Sequence, residues 1–291
     1  MHTAHAATAS SDTVRRVVRR VIVLAPGAAV IAPTGASREL AAYLAATPWC
    51  DADHPCIRAL SDELTRGLAT QAEKAAALFA WVRDAVPYTL GDWNWRASET
   101  LALRRGTCSN KANLLVALAR AAGIPAGFHV MSIRTRHYFG VGLIPMIRRV
   151  VRGESVHVYA AMHLGGRWVK CDPTDDAPLC RSIVKILPHA HLVEFNGVDD
   201  AVHGFAPDAI LGDRGTLASL DDLLSRKPGF SASAQRVFGH FIRYMREHGG
   251  RYSLDDADCQ ARIERDFRAW LTRHHADDLA DLTADETRAA A

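Results

Sequence analysis

The sequence predicts an α+β protein in which a helix packs on an antiparallel sheet and a helical region follows towards the C-terminus. Apolar residues recur at helical spacing in the first half of the chain, and two β-type segments flank a Gly-Gly pair at 165–166. Beyond residue 200, three further stretches have helical periodicity. We therefore predict a tail with a possible strand at 1–36, a core at 37–200 and a helical extension at 201–291.

The composition is that of a soluble globular protein. With 291 residues, 48% hydrophobic and 23% charged, the chain can bury a core without disulfides. A net charge of +3 is too small to favour nucleic acid as the partner. The six cysteines form no CxxC pair and no zinc-ligand spacing, so we expect no metal or cofactor and rank a metal hydrolase low.

The first 36 residues have two interpretations. Residues 1–12 lack bulky apolar groups and predict a loose tail. Paired arginines then precede an apolar stretch at 15–32, which superficially resembles an export signal, but Pro26 and Gly27 interrupt it. No run reaches the roughly 18 to 20 apolar residues of a membrane span. We favour a strand, a cytoplasmic location and no contact with a membrane.

The remaining elements follow in order from periodicity and breakers. A helix is predicted from about Ser37, a turn at 51–55, two helices between Cys56 and Val86 that end at Pro87, and a short helix at 98–103. After residue 200, loop-like sequence leads to helices near 217–225, 231–248 and 254–274. The second of these has an apolar stripe, and we assign this region packing and no chemistry.

Cys108 is the candidate nucleophile. Leu114 and Leu118 show helical spacing after it and residues 123–125 end that helix, so Cys108 stands at or just before a helix N-terminus. There, N–H groups and the helix dipole favour a thiolate and could stabilise an oxyanion. Because Gly106 has no Cβ, the backbone there can approach the site closely. Such a cysteine is more often an inert buried thiol, so a second signal is needed.

The predicted hairpin supplies that signal. A two-residue turn at 165–166 pairs Leu164 with Arg167, His163 with Trp168 and Tyr159 with Asp172. Because strand side chains alternate between faces, His157, Tyr159 and His163 share the face of Asp172 and Trp168.

Distance along the strand separates the two histidines. His157 and Asp172 are diagonal neighbours about 7 to 8 Å apart, which the two side chains can span. His163 lies roughly 20 Å further along, near the turn. We therefore expect His157 to be the base and Asp172 to fix its tautomer. A simple surface contact between the two is the alternative.

Together these segments resemble the transglutaminase-like superfamily. The resemblance is carried by GTCSNKA at 106–112, GIPA at 123–126, His157 and GRWVKCDPT at 166–174, in the order Cys, His, Asp on a helix start, a strand and the next strand. It covers about residues 40–195, and residues 75–88 and 98–103 look like the bacterial branch. One departure is His157-Val158-Tyr159, where a His-Ala-Trp run is common.

The resemblance implies a papain-like core and acyl chemistry through a thioester on Cys108, with His157 and Asp172 completing a triad. It does not fix the reaction. Hydrolysis or transamidation of amide or peptide substrates is the leading hypothesis. The alternatives are a Dieckmann-type cyclase or acyltransferase acting on a carrier-protein-bound thioester, and a binding module that has lost turnover.

Five further residues are candidates for substrate binding: Trp93, Trp95, Tyr159, Arg134 and Arg136. The two tryptophans are too close to Cys108 in sequence to match the family's oxyanion tryptophan, and core or rim packing is their plainer role. The two arginines belong to a basic insert at 131–154, with Arg148, Arg149 and Arg152. This insert could attract an acidic carrier protein or its phosphate, although a solvated loop is the simpler interpretation.

Overall fold

The computed structural model describes residues 39–140, 143–151, 153–187, 191–205, 207–226 and 232–290. The predicted tail and the possible strand or export signal at 15–32 lie outside them, as does Arg152 of the basic insert. The helix predicted from Ser37 is wrong within the described residues, where only a 3-10 turn forms at Ala41–Tyr43. The chain there is instead anchored by distant partners, since Tyr43 donates to the Thr216 carbonyl and Thr47 to Asp221.

From residue 39 onwards, four α-helices precede the sheet: α1 (Pro55–Thr65), α2 (Gln71–Ala85), α3 (Ala97–Leu103) and α4 (Cys108–Ala121). They match the helices that periodicity predicts. A capping box formed by Thr70 and Glu73 begins α2, and α2 ends just before Pro87.

The described residues form a sheet of four antiparallel strands in the order β3-β2-β1-β4, namely β1 (Ala126–Arg134), β2 (Glu154–Leu164), β3 (Arg167–Cys171) and β4 (Ile210–Leu217). The hairpin register is confirmed, because Leu164 pairs with Arg167 and His163 with Trp168. Both turn glycines have positive φ, 58° and 83°, as a two-residue hairpin requires.

The loop predicted over residues 197–215 is wrong at β4. Its sequence, ILGDRGTL, contains two glycines and a charged pair and lacks clear alternation. The strand forms at the sheet edge by backbone pairing with β1, with two register shifts. Its pairing is therefore set by tertiary context.

Helix α4 packs on β1 and β2 of the sheet, and α1, α2 and α3 pack against α4. Every residue of α4 from Ser109 to Arg120 is buried. Its Leu114, Leu115 and Leu118 share one apolar core with Phe128 of β1 and Val158 of β2. This arrangement confirms the predicted α+β class and places the start of α4 beside the sheet.

The remaining helices lie in the insert between β1 and β2 and after β3. The basic insert contains α5 (Thr135–Phe139) and α6 (Pro145–Val150), and α7 (Ala177–Ile183) follows β3. The C-terminal region contains α8 (Asp221–Leu224), α9 (Ala232–His248), α10 (Cys259–His274) and α11 (Ala276–Ala290), of which α11 was not predicted.

The apolar stripe of α9 is buried in a second core with residues of α6, α7 and α10. The predicted packing role of this region is therefore confirmed, while the boundaries at 36 and 200 stay a prediction. None of the helices in the described ranges is long and apolar enough to cross a membrane.

Gly106 gives a test of how tightly the start of α4 is packed. A Cβ at this position would lie 2.7 Å from Cβ of Asn110, closer than packed atoms allow. We expect Gly106→Ala to lower the free energy of unfolding by about 1 to 3 kcal/mol in urea denaturation. Gly153→Ala is the matched control, because a Cβ there meets nothing within 4 Å. Equal stability of the two variants would contradict this view of the packing.

Candidate active site

Cys108 is the first residue of α4. Thr107 caps the helix: its hydroxyl accepts the Asn110 N–H, and the Asn110 side-chain oxygen accepts the Thr107 N–H at 3.0 Å. Between residues 106 and 120, Cys108 alone is partly exposed rather than buried. The helix therefore presents one sulfur at its N-terminus, where backbone N–H groups lack intrahelical acceptors.

The other five cysteines are free thiols in different surroundings. Cys50, Cys171, Cys180 and Cys259 are buried, and Cys56 is exposed. Burial raises the pKa of Cys50 and Cys180 to about 12 and that of Cys171 well above its ordinary value. These buried thiols are therefore protonated at neutral pH and suited to packing.

His157 and Asp172 form a buried pair beside Cys108. The imidazole lies mid-strand in β2 and is 2% exposed, and Asp172 follows β3 and is 1% exposed. His157 Nε2 donates to Asp172 Oδ2 at 2.7 Å, while the other carboxylate oxygen accepts the Thr174 N–H at 3.0 Å. His157 also has a hydrogen bond with the Cys108 side chain. Because Nε2 is bonded to Asp172, Nδ1 is the ring nitrogen left for Cys108.

The charges of this cluster favour a protonated imidazole. Burial alone lowers the pKa of His157, but the charge and hydrogen bond of Asp172 and the contact with Cys108 outweigh it and raise the pKa to about 10. Burial likewise raises the pKa of Asp172, yet the His157 imidazolium holds it well below its usual range. The pair is therefore ionic across the neutral range.

Aromatic side chains enclose the His157 ring. Phe205 meets it edge-on at 5.4 Å between centroids, and Tyr159 lies 5.6 Å away. The Tyr159 hydroxyl donates to the Met131 sulfur, and the ring is 3% exposed. Tyr159, predicted to bind substrate, thus lies against the imidazole as a buried packing residue. His163 instead contacts Trp168, six positions along β2.

Tyr88 is a neighbour of the cluster that the sequence did not reveal. Burial, followed by the charges of Cys108, Asp175 and Asp172, raises its pKa well above the ordinary value, so the phenol is neutral. Its N–H donates to Asp176 Oδ2 and its carbonyl accepts from Arg246 at 2.6 Å. The residue follows Pro87 and stands outside any periodic pattern that would mark it.

Arg246 of α9 ties the C-terminal helices to this neighbourhood. Its guanidinium donates to both oxygens of Asp176 at 2.9 and 2.7 Å, and Asp176 also caps α7. Burial raises the pKa of Asp176, but Arg246, together with the Tyr88 N–H and the Lys111 charge, outweighs burial, and the net pKa is lowered. The Asp176 carboxylate, four residues after Asp172, thus connects Tyr88, the start of α7 and Arg246 of α9.

Trp93 and Trp95 lie against the first turns of α4. The Trp93 carbonyl accepts from Asn110 Nδ2 at 2.9 Å and the Trp95 carbonyl from Asn113 Nδ2 at 3.3 Å. Among the described residues, the Trp93 Nε1 donor is buried without an acceptor. The two tryptophans are therefore held near the helix start, and Trp93 bonds the residue nearer to Cys108, Asn110.

Arg134 and Arg136 are exposed at one end of the sheet. Arg134 ends β1 opposite Glu154, three residues beyond the pairing of Met131 with His157, or about 10 Å along the strand. Arg136 lies on α5, and Arg148 and Arg149 are exposed on α6. Arg134 therefore lies at the His157 end of β1, and Arg136, Arg148 and Arg149 lie on the two helices that connect β1 to β2.

One group of described residues brings three potential metal ligands together, namely His240, His275 and Asp278 in the C-terminal helices. The two imidazoles are stacked at 3.7 Å between centroids, and Arg243 bonds His275 Nε2 at 2.9 Å. Imidazole lone pairs lie in the ring plane, so stacked rings do not converge on one ion. The group is better explained as an ion-pair cluster with Arg236.

The chain matches one family model, described as the transglutaminase-like superfamily, over residues 58–173. This match covers Cys108, His157 and Asp172 and supports the resemblance carried by the sequence motifs. A search of curated proteins finds no match.

Among the solved structures that are similar over part of the chain is "a Putative Cysteine Protease from Cytophaga hutchinsonii". It shares 23% identity across 48% of this chain and 44% of its own length, with a TM-score of 0.38. The chain thus spans less than half of that protein, and the likeness carries no argument about activity.

Asp172→Asn tests the electrostatics of the pair. The amide removes the carboxylate charge and leaves the burial, so we expect the pKa of His157 to fall well below about 10. A pH titration of the ring nitrogens by 15N NMR measures this. Asp222→Asn, an exposed carboxylate on α8, is the control. An unchanged His157 titration in Asp172→Asn would contradict the assigned cause.

Proposed function

We propose that this chain, whose residues 58–173 match the transglutaminase-like superfamily, is a cysteine-dependent acyl-transfer enzyme. Cys108 is the proposed nucleophile, His157 the acid and base, and Asp172 the residue that orients His157. The observation that carries the proposal is the convergence of a helix-terminal sulfur, an imidazole and a buried carboxylate, joined by hydrogen bonds.

The proposed first half-reaction transfers an acyl group to sulfur. With the proton on His157, the Cys108 sulfur carries the negative charge and attacks the substrate carbonyl carbon. When the tetrahedral intermediate collapses, the bond to the leaving amine or thiol breaks and His157 gives that group its proton. The products are a thioester on Cys108, a neutral imidazole and the free leaving group.

The second half-reaction restores the enzyme. His157 takes a proton from water or an amine, which attacks the thioester carbon. The carbon–sulfur bond breaks, the acid or amide leaves, and the proton stays with the sulfur–imidazole pair. Asp172 stabilises the imidazolium in both steps, since its charge and hydrogen bond raise the pKa of the ring.

The oxyanion of each tetrahedral intermediate needs hydrogen-bond donors. The Asn110 and Lys111 N–H groups bond to Thr107 in the first turn of α4. The Cys108 and Ser109 N–H groups precede them and belong to the donors that helix geometry leaves for other acceptors. They are our proposed oxyanion donors.

We propose amide or peptide substrates ahead of carrier-bound thioesters. The exposed Arg134, Arg136, Arg148 and Arg149 favour the alternative of an acidic carrier protein with a thioester, for a cyclase or acyltransferase. A binding module without turnover is the remaining alternative. One assay distinguishes amide or peptide substrates, carrier-bound thioesters and a binding module without turnover.

The assay is intact mass spectrometry after rapid acid quench of mixtures with glutamine-containing peptides or acyl-pantetheine thioesters. We expect one acyl group on the wild type, lost again as acid or amide, and none on Cys108→Ala. Cys56→Ser is the matched control, because Cys56 is the other accessible thiol of the described residues. Identical spectra for wild type and Cys108→Ala with both substrate classes would refute the enzyme proposal.

A second prediction concerns the role of His157. We expect His157→Gln to slow iodoacetamide alkylation of Cys108 at pH 6 by about tenfold or more, because no imidazolium then balances charge on the sulfur. His163→Gln, on the same strand but against Trp168, should keep the wild-type rate. Equal rates in the two variants would favour a binding module.

A further inference from the structure

Arg246 of α9 contacts two segments that lead to opposite sides of the site. Its Nη2 donates to the Tyr88 carbonyl at 2.6 Å, and the same guanidinium donates to both oxygens of Asp176 through Nε and Nη2. The Tyr88 N–H donates to Asp176 Oδ2 at 3.0 Å and closes the ring of hydrogen bonds. One side chain from the C-terminal region therefore joins Tyr88 to Asp176.

Tyr88 lies against the segment that leads into the nucleophile. It pairs with Gly106 in a short parallel bridge, in which the Thr89 N–H donates to the Gly106 carbonyl at 3.0 Å and the Gly106 N–H to the Pro87 carbonyl at 3.3 Å. Gly106 is two residues before Cys108, and the residue between them caps α4. The position of Tyr88 therefore fixes the backbone from which the Cys108 side chain extends.

Asp176 belongs to the turn that carries the other half of the site. It is four residues after Asp172, which is bonded to His157 at 2.7 Å, and it caps α7. The Asp176 side chain is 2% exposed and that of Arg246 is 19% exposed, so the paired bonds between them are largely shielded from water. One guanidinium thus holds together the segments that carry Cys108 and Asp172.

Helix α9 is fixed by contacts that do not involve the Arg246 side chain. Its apolar stripe is buried in the second core with residues of α6, α7 and α10. The Met245 carbonyl accepts the Ser182 hydroxyl of α7 at 2.7 Å, and a Cβ at Gly249 would lie 2.8 Å from the same oxygen. The helix therefore presents the guanidinium from a closely packed support and keeps this packing when the guanidinium is removed.

We propose that Arg246 is a positioning residue for Cys108: by holding Tyr88 and Asp176 together, it sets the approach of the sulfur to the His157 imidazole. This inference rests on the proposed function, in which a proton passes between these two side chains. Arg246 lies outside residues 58–173, which match the family model. The C-terminal region, predicted to have a packing role alone, thereby contributes to the geometry of the site.

A general contribution to stability is the competing explanation, because removal of Arg246 leaves the Asp176 carboxylate buried without its cation. The two roles have different effects on the sulfur. A positioning residue changes the reactivity of Cys108 through His157, so its effect disappears when His157 is replaced. A loss of stability instead changes the exposure of Cys108 whichever residue stands at 157.

The test is a double-mutant cycle on the iodoacetamide alkylation of Cys108 at pH 6, followed by peptide mass spectrometry. We expect Arg246→Ala to slow alkylation by about fivefold when His157 is present, because the imidazolium is then less well placed beside the sulfur. In the His157→Gln background, the same substitution should change the rate by less than about twofold. Arg236→Ala, on the same helix but paired with carboxylates of α11, should keep the rate of each background.

Arg246→Lys covers the case in which Arg246→Ala does not fold. Lysine keeps a positive charge beside Asp176, but one ammonium cannot reproduce the paired bonds of a guanidinium, so we expect the same dependence on His157. An unchanged rate in the folded Arg246 variant, or equal slowing with and without His157, would overturn the inference. The cycle needs no turnover, so absence of acylation on Cys108 would count against the proposed function alone.

Discussion

The hydrogen bond between His157 and Asp172 is the constraint on which the site depends. A carboxylate that is 1% exposed can remain ionised only beside a positive charge, and an imidazole that is 2% exposed can hold a proton only beside a negative one. Each group therefore fixes the charge state of the other. Because the 2.7 Å bond uses Nε2, the second ring nitrogen is left for the hydrogen bond with Cys108.

Local signals in the sequence predicted much of this arrangement. The glycines at 165 and 166 fix the turn, the turn fixes the register, and alternation then places His157 and Asp172 on one face. The position of Cys108 follows in the same way from the helical spacing after it. Each of these inferences needs only residues close together in the chain.

The parts that sequence reasoning missed depend on distant contacts. Tyr88 and Arg246 reach the site through hydrogen bonds to Asp176, which lies far from both in the chain. Tyr88 ends the family-like stretch at 75–88, but nothing in that stretch marks a contact with the site. Strand β4 is missed for a related reason, since its pairing with β1 does not require an apolar pattern in its own sequence. Such features depend on the assembled fold.

The position of β4 at the sheet edge has a consequence for how the molecule is made. The partners of β1 are β2, which follows closely, and β4, which is translated long after it, with Phe128 opposite Leu217. Contacts between segments so far apart pay a large loop-closure entropy and form slowly. During synthesis, β1 can therefore pair with β2 early, whereas β4 can complete the sheet only after residue 217 has left the ribosome.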